Sequence, residues 1–211
     1  MGLARHDRPC YFDIVTKGSD TKASILRQAL NLSSEVGLES LSLGGLAKRV
    51  GMSKSGLYAH FKSKEELQSL VLDSAADLFV DRVVARAIKE PRGLPRLHAL
   101  FDLWLEWASH ELTGGCLFIA ASTELDDRSG PVRESLVKHM TDLTTTINRA
   151  AQIAVEEKHF RSDLEPEQFA FEIWGLILSF HQVSRLMRKE SAENMARNAF
   201  HRLLKDAQAS N

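Results

Sequence analysis

The chain has 211 residues, 27 lysines and arginines against 28 aspartates and glutamates for a net charge of −1, and 44% hydrophobic residues; this balance describes one compact domain or two small ones and excludes wholesale disorder. Its two cysteines, Cys10 and Cys116, stand more than a hundred residues apart, which excludes a disulfide framework and a four-cysteine metal site. The longest charge-free runs, Leu112 to Thr123 and Ile173 to Ser184, hold twelve residues each, short of the roughly 20 a membrane span needs, and the amino terminus shows neither an apolar leader core nor a myristoylation signal, so a cytoplasmic protein is expected.

In chain order the pattern is helical throughout, and no stretch alternates as a strand would. An arm, residues 1–19, precedes a first helix predicted from Asp20 or Thr21, with Ile25, Ala29, Leu32 and Val36 on its apolar face and Gly37 at the left-handed position beyond its end. Ser42 caps a short helix, Leu43 to Val50, that Gly51 ends; Ser53 caps another, Lys54 to Phe61; Ser63-Lys64-Glu65-Glu66 forms a capping box that opens a longer helix to about Lys89. Beyond Pro91 the predicted helices are longer: roughly Leu94 to Leu112, Gly115 to Leu125, Pro131 to Lys158, Pro166 to Arg188, and Ser191 to Ala207. The expected fold is all-α with about nine helices: a three-helix unit over 20–66, joined by a long helix to a helical bundle over 67–211.

Charge divides unevenly along this plan. The first 66 residues carry +3 and the remainder −4, and Ser40 to Lys64 holds Lys48, Arg49, Lys54, Lys62 and Lys64 without one acidic residue. Such a window can face a polyanion, although charge alone does not separate that from chance. Spacing adds information: Ala47, Gly51 four residues on and Leu57 six beyond are what two steeply crossing helices need, with a small residue at the close approach, a positive-φ residue in the turn, and Leu57 with Phe61 filling the wedge. The second helix would then present its first residues to a DNA major groove. Plain helical hairpins produce the same two-helix pattern.

The run Thr21-Lys22-Ala23-Ser24-Ile25-Leu26, then Gly37, then Ser42 to Leu67, most specifically Gly51 to Leu67, resembles the amino-terminal domain of the TetR family of bacterial transcriptional regulators. Gly114-Gly115-Cys116-Leu117-Phe118 and Asp126 to Arg133 are similar to one branch of that family. The resemblance implies phosphate contacts from the Tyr58 phenol, His60 and Lys64. Ser42, Ser53 and Ser55 offer hydroxyls at helix starts, and Lys22 reaches the backbone from the first helix. Lys54 and Ser55, earliest on the recognition helix, are the candidates for base contacts, Lys54 to guanine O6 or N7. Gly56 replaces the Thr or Ser that commonly contacts phosphate in the family, and Gly44 stands where some members carry a base-reading Arg. The plainer alternatives are that Tyr58 and His60 pack beneath the fourth helix and that Lys48, Arg49 and Lys62 form a solvated face. The arm could reach DNA through Arg5, Arg8 and Lys17, be disordered, or reflect an over-early start.

Toward the carboxyl terminus, Leu94 to Leu112 is apolar except for a stripe of His98, Asp102 and Glu106, whose four-residue spacing would suit a metal but is more simply a solvated edge; no metal or cofactor is expected. The resemblance implies that this helix lines the cavity of an unidentified, largely apolar effector, with Phe101, Trp104, Leu105, Phe118 and Trp174 as candidates. Phe169, Ile173, Ile177 and Phe180 on one helix, with Ala199, Phe200 and Leu203 on the next, are read as the interface of a two-fold homodimer, whose paired recognition helices would read a palindromic operator. Catalytic motifs fail: no nucleophile elbow, P-loop or zinc-protease pair is complete, so no enzyme is expected. The reading is therefore a ligand-responsive repressor, with two alternatives: a small-molecule-binding protein whose DNA-binding domain no longer functions, or an all-helical enzyme.

Overall fold

Serine hydroxyls mark where three of the first four helices begin. In this computed structural model, which describes residues 17–208 with side chains from residue 21, α1 spans Lys17–Val36, α2 Leu43–Arg49, α3 Lys54–Tyr58 and α4 Lys64–Phe79. Ser42, Ser53 and Ser63 each hold extended backbone and accept from the N–H three residues on, at Gly45, Gly56 and Glu66, satisfying donors that a helix start leaves unpaired. The expected capping box at α4 is half formed. Glu66 reaches back, but its Oε2 takes the N–H of Lys62, one residue before the cap. The arm, with Arg5, Arg8, Cys10 and the Lys17 side chain, lies outside the described residues except for the last residues of its backbone, which already belong to α1.

Helix α4 runs on through a π turn, Val80–Val84, into Ala85–Ala87. Then come α5 (Leu94–Glu106, extended by a π turn at Trp107–Glu111), α6 (Leu117–Leu125), α7 (Pro131–Glu156), α8 (Pro166–His181, extended by a π turn at Gln182–Leu186) and α9 (Ala192–Ala207). These are nine helices among the described residues, as expected, and no strand is present there beyond an isolated antiparallel bridge between Phe160 and Gln208. Proline stands in the first turn of α5, α7 and α8, where its missing N–H costs nothing. No helix among the described residues is long and apolar enough to cross a membrane.

One helix serves both halves of the molecule. The buried side of α4, Leu67, Val71, Leu72, Ala75 and Phe79, packs against α1 on one side and α7 on the other. α7 in turn lies along α8, and α8 along α9. A single contiguous core runs from Ile25 and Leu46 to Phe200 and Leu204, so the amino-terminal unit has no separate base of its own.

Candidate nucleic-acid interface

The turn between α2 and α3 follows from one glycine. Gly51 sits at φ +69°, its N–H donates to the Lys48 carbonyl, and the Met52 N–H donates to the Ala47 carbonyl at 3.0 Å. This double closure ends α2 and turns the chain, and it needs the left-handed conformation that glycine adopts without penalty. Ala47, Leu57 and Phe61 are buried at 3%, 0% and 0% exposure, so the small residue and the wedge stand where the spacing required them.

On α3, Leu57 points into the core while Lys54, Ser55 and Tyr58 are exposed. At 100° per residue these three fall within about 100° of arc, so they share one outer side of the helix. Tyr58 is 49% exposed, and its phenol, like the Lys54 ammonium, makes no hydrogen bond among the described residues. Packing beneath α4 therefore does not account for Tyr58. His60 is half-buried, its ring tilted against Phe61. Gly56 is partly covered, and Gly44 faces open space.

The serine hydroxyls are less free than their helix-start positions suggest. Ser42 and Ser53 use acceptor capacity on their caps, and Ser53 and Ser55 lie 3.1 Å apart, so one of those two protons is occupied inside the pair. Two cations are also partly committed. The Lys64 ammonium donates to the Glu39 carbonyl at 2.6 Å, and that of Lys22 lies 5.4 Å from the centroid of Phe61, a cation–π contact. Arg49 pairs with Glu35 at 3.6 Å, as a solvated face would have it.

The carboxyl-terminal candidates fare differently. Phe169, Ile173, Ile177, Phe180 and Phe200, expected on a dimer surface, are all 4% exposed or less within the single chain. They are core, because α8 and α9 turn their strongest apolar stripes toward α5 and α7; Phe200 stacks on Phe101 with ring centroids 4.0 Å apart. Ala199 and Leu203 keep partial exposure. Outside, the same two helices show Phe171 at 70% and Met195 at 52%. The effector candidates are packed as well: Phe101, Trp104, Leu105 and Phe118 are nearly fully buried, and Trp104 lies against Phe79 and the half-buried Trp174. Three surface grooves, between α6 and α7, between α4, α5 and α7, and between α8 and α9, are lined by none of these five residues. In the polar stripe, Asp102 pairs with Arg197 and Glu106 with Arg86.

Contacts far apart in sequence fasten this unit to the rest. Glu124 at the end of α6 accepts the N–H groups of Leu38 at 3.3 Å and Glu39 at 2.7 Å. Buried Gln68 of α4 donates to the Leu38 carbonyl at 2.8 Å. In the loop before α6, Thr113 bonds the Asn31 side chain and the Gly114 N–H donates to Ser34 Oγ at 2.9 Å. A Cβ at Gly114 would overlap the Ser34 backbone. The sequence singles out Gly114 and Gly115 by resemblance alone and gives no sign of Asn31, Ser34 or Glu124 as their neighbours, since partners some eighty residues apart leave no local pattern.

Comparison with known proteins agrees with this geometry. A family model described as "Bacterial regulatory proteins, tetR family" matches residues 25–69, and one described as "Tetracyclin repressor-like, C-terminal domain" matches residues 93–200. The chain is 30% identical over 77 residues to the nucleoid occlusion factor SlmA of Haemophilus influenzae, across 36% of this chain and 35% of that protein. It is 30% identical over 133 residues to the HTH-type transcriptional repressor ComR of Escherichia coli K12, across 61% and 59%. Both matches thus span less than two thirds of the relative. Among solved structures, a TetR transcriptional regulator from Chloroflexus aurantiacus superposes with a TM-score of 0.80 at 22% identity, over 90% of this chain and 94% of that one, which is a likeness of fold.

Proposed function

This chain belongs to the TetR family of bacterial transcriptional regulators, and from that premise we propose that it is a repressor: it binds a palindromic operator as a homodimer and leaves it when a small, largely apolar molecule occupies its carboxyl-terminal helices. A DNA-binding regulator, rather than an enzyme, is what the family assignment supports. In this reading residues 20–66 are the DNA-binding domain and 67–211 the effector-binding and dimerisation domain.

The observation that carries the proposal is the outer side of α3. Lys54, Ser55 and Tyr58 stand exposed together on a helix anchored by Leu57, in a stretch from Ser40 to Lys64 without an acidic side chain. Lys54 reaches base edges, the Tyr58 phenol donates to phosphate, and His60, Lys64 and the Ser42 hydroxyl complete the backbone contacts, with Lys22, Ser53 and Gly56 at the margin. Two copies meet through the exposed sides of α8 and α9, around Phe171 and Met195 rather than the buried stripe, and place two recognition helices about one DNA turn apart. An effector shifts the equilibrium only by its difference in affinity for the bound and released conformations.

The test is a gel shift on the DNA upstream of the chain's own coding sequence, at two salt concentrations, with a scrambled duplex as competitor. The expected outcome is preference for the upstream DNA that weakens steeply with salt. Binding indifferent to sequence at both salt concentrations sinks the reading.

A further inference from the structure

We propose that the groove between the end of α4 and helices α5 and α7 binds a small anionic amphiphile, a carboxylate carried on an apolar tail. The proposal deepens the regulator reading by giving its ligand a place and a chemical class, and it rests on that reading only for what binding does to DNA affinity.

The groove encloses about 290 Å³, close to the lower end of ordinary small-molecule sites. Its floor is apolar: Val84, the last residue of the π turn in α4, with Leu100 of α5 and Ala150 and Ile153 of α7. Two arginines, Arg96 and Arg149, are among its lining residues, beside Thr145 and Thr146, and they are not equivalent. Arg149 is ion-paired with Glu156 at 3.1 Å. Arg96 has no carboxylate within ion-pairing distance among the described residues.

What fixes Arg96 is the end of α4. Its Nη2 donates to the carbonyl oxygens of Ile88 and Glu90, each at 3.1 Å, so the side chain is locked in place by neutral acceptors. That grip leaves Nε buried without an acceptor and Nη1 without a hydrogen bond among the described residues. A half-buried cation lacking a counter-charge is under-compensated, and its field is poorly screened where the neighbouring wall is apolar. A carboxylate seated in the groove supplies the missing charge through a charge-assisted hydrogen bond, while an apolar tail covers Val84, Leu100, Ala150 and Ile153 and removes that surface from water. A free phosphate meets the charge and leaves the floor bare; a neutral alcohol does the reverse.

The experiment titrates the full chain with octanoate, octanol and inorganic phosphate, followed by isothermal calorimetry and thermal unfolding. Octanoate is expected to bind saturably, about tenfold more tightly than octanol, with no saturable binding of phosphate. R96Q loses this preference and R96K retains part of it. Because Arg96 also holds the end of α4, A150F, which fills the floor and leaves the guanidinium alone, is measured alongside and weakens octanoate as well. Octanoate binding no tighter than octanol, or unchanged in both R96Q and A150F, overturns the proposal. Failure of the regulator reading is visible separately, as absence of operator preference in the ligand-free protein.

Discussion

Tyr58 and Lys54 sit one helical turn apart on α3 and divide the interface by chemistry. A phenol is neutral, so its hydrogen bond to a phosphate adds affinity without releasing a counterion. Tyr58→Phe is therefore expected to weaken binding about tenfold on operator and scrambled DNA alike, with the slope of affinity against salt unchanged; fluorescence anisotropy at several salt concentrations reads both, and equal affinity of variant and wild type would remove the phosphate role. Lys54 carries sequence information in this scheme. Lys54→Ala is expected to lose about 1–3 kcal/mol on the operator and less on other sequences, so selection from a randomised duplex pool should return a looser consensus.

At the level of elements, the legible and illegible parts separate by the range of the interaction. Ser42, Ser53, Gly51 and the prolines of α5, α7 and α8 act on their own neighbours, and the helices they delimit stand where the residues placed them, within a few positions at the ends. The face a helix buries was read less well for α8 and α9. Phe169 to Phe180 forms an apolar stripe, but a stripe does not say whether it meets another helix of the same chain or a second copy, and here the chain's own α5 and α7 cover it. The packed layer of Phe101, Trp104 and Phe118 poses the same ambiguity between core and cavity. The fastening of α1 to the loop before α6 left no pattern that names its α1 partners, although Gly114 stands in a family-like run, and it carries a prediction. Gly114→Ala must push the loop off the Ser34 backbone, which breaks the Gly114 to Ser34 hydrogen bond and is expected to lower stability by about 1–3 kcal/mol, measured by urea unfolding. The same change at Gly44, which faces open space, should leave stability equal or raised slightly, since alanine favours a helix.

For the whole molecule, two properties are open to measurement. Burial holds the pKa of His181 below the ordinary histidine value of 6.5, with Arg185 adding to the effect, and burial does the same to His98 despite the opposing pull of Asp102. Both imidazoles thus stay neutral in the fold at a pH where the unfolded chain has taken up protons. Their contribution to stability is complete above about pH 6.5 and is lost as pH falls toward their lower folded values. The thermal midpoint should fall between pH 7 and pH 5, and the fall should be shallower in His181→Gln. Assembly is the second property. Light scattering at micromolar concentration is expected to report a dimer, and Met195→Glu, on the exposed side of α9, should shift it to monomer; a wild type that scatters only as monomer removes the palindrome argument with it.

The absence of clearance between Gly114 and Ser34 also decides how force passes through the protein. A long side chain between two elements acts as a spring, and a π turn such as Val80–Val84 adds compliance along α4, so small displacements at either are partly absorbed. Backbone pressed on backbone has no such give. Ser34 of α1 meets Gly114 before the start of α6, and Glu124 at its other end holds the Leu38 and Glu39 amides just after α1, so both ends of α6 are fastened to the same stretch of chain. A shift of α6 is therefore expected to reach the loop after α1 through these contacts, and Gly114→Ala, which alters one of them, is expected to change that coupling.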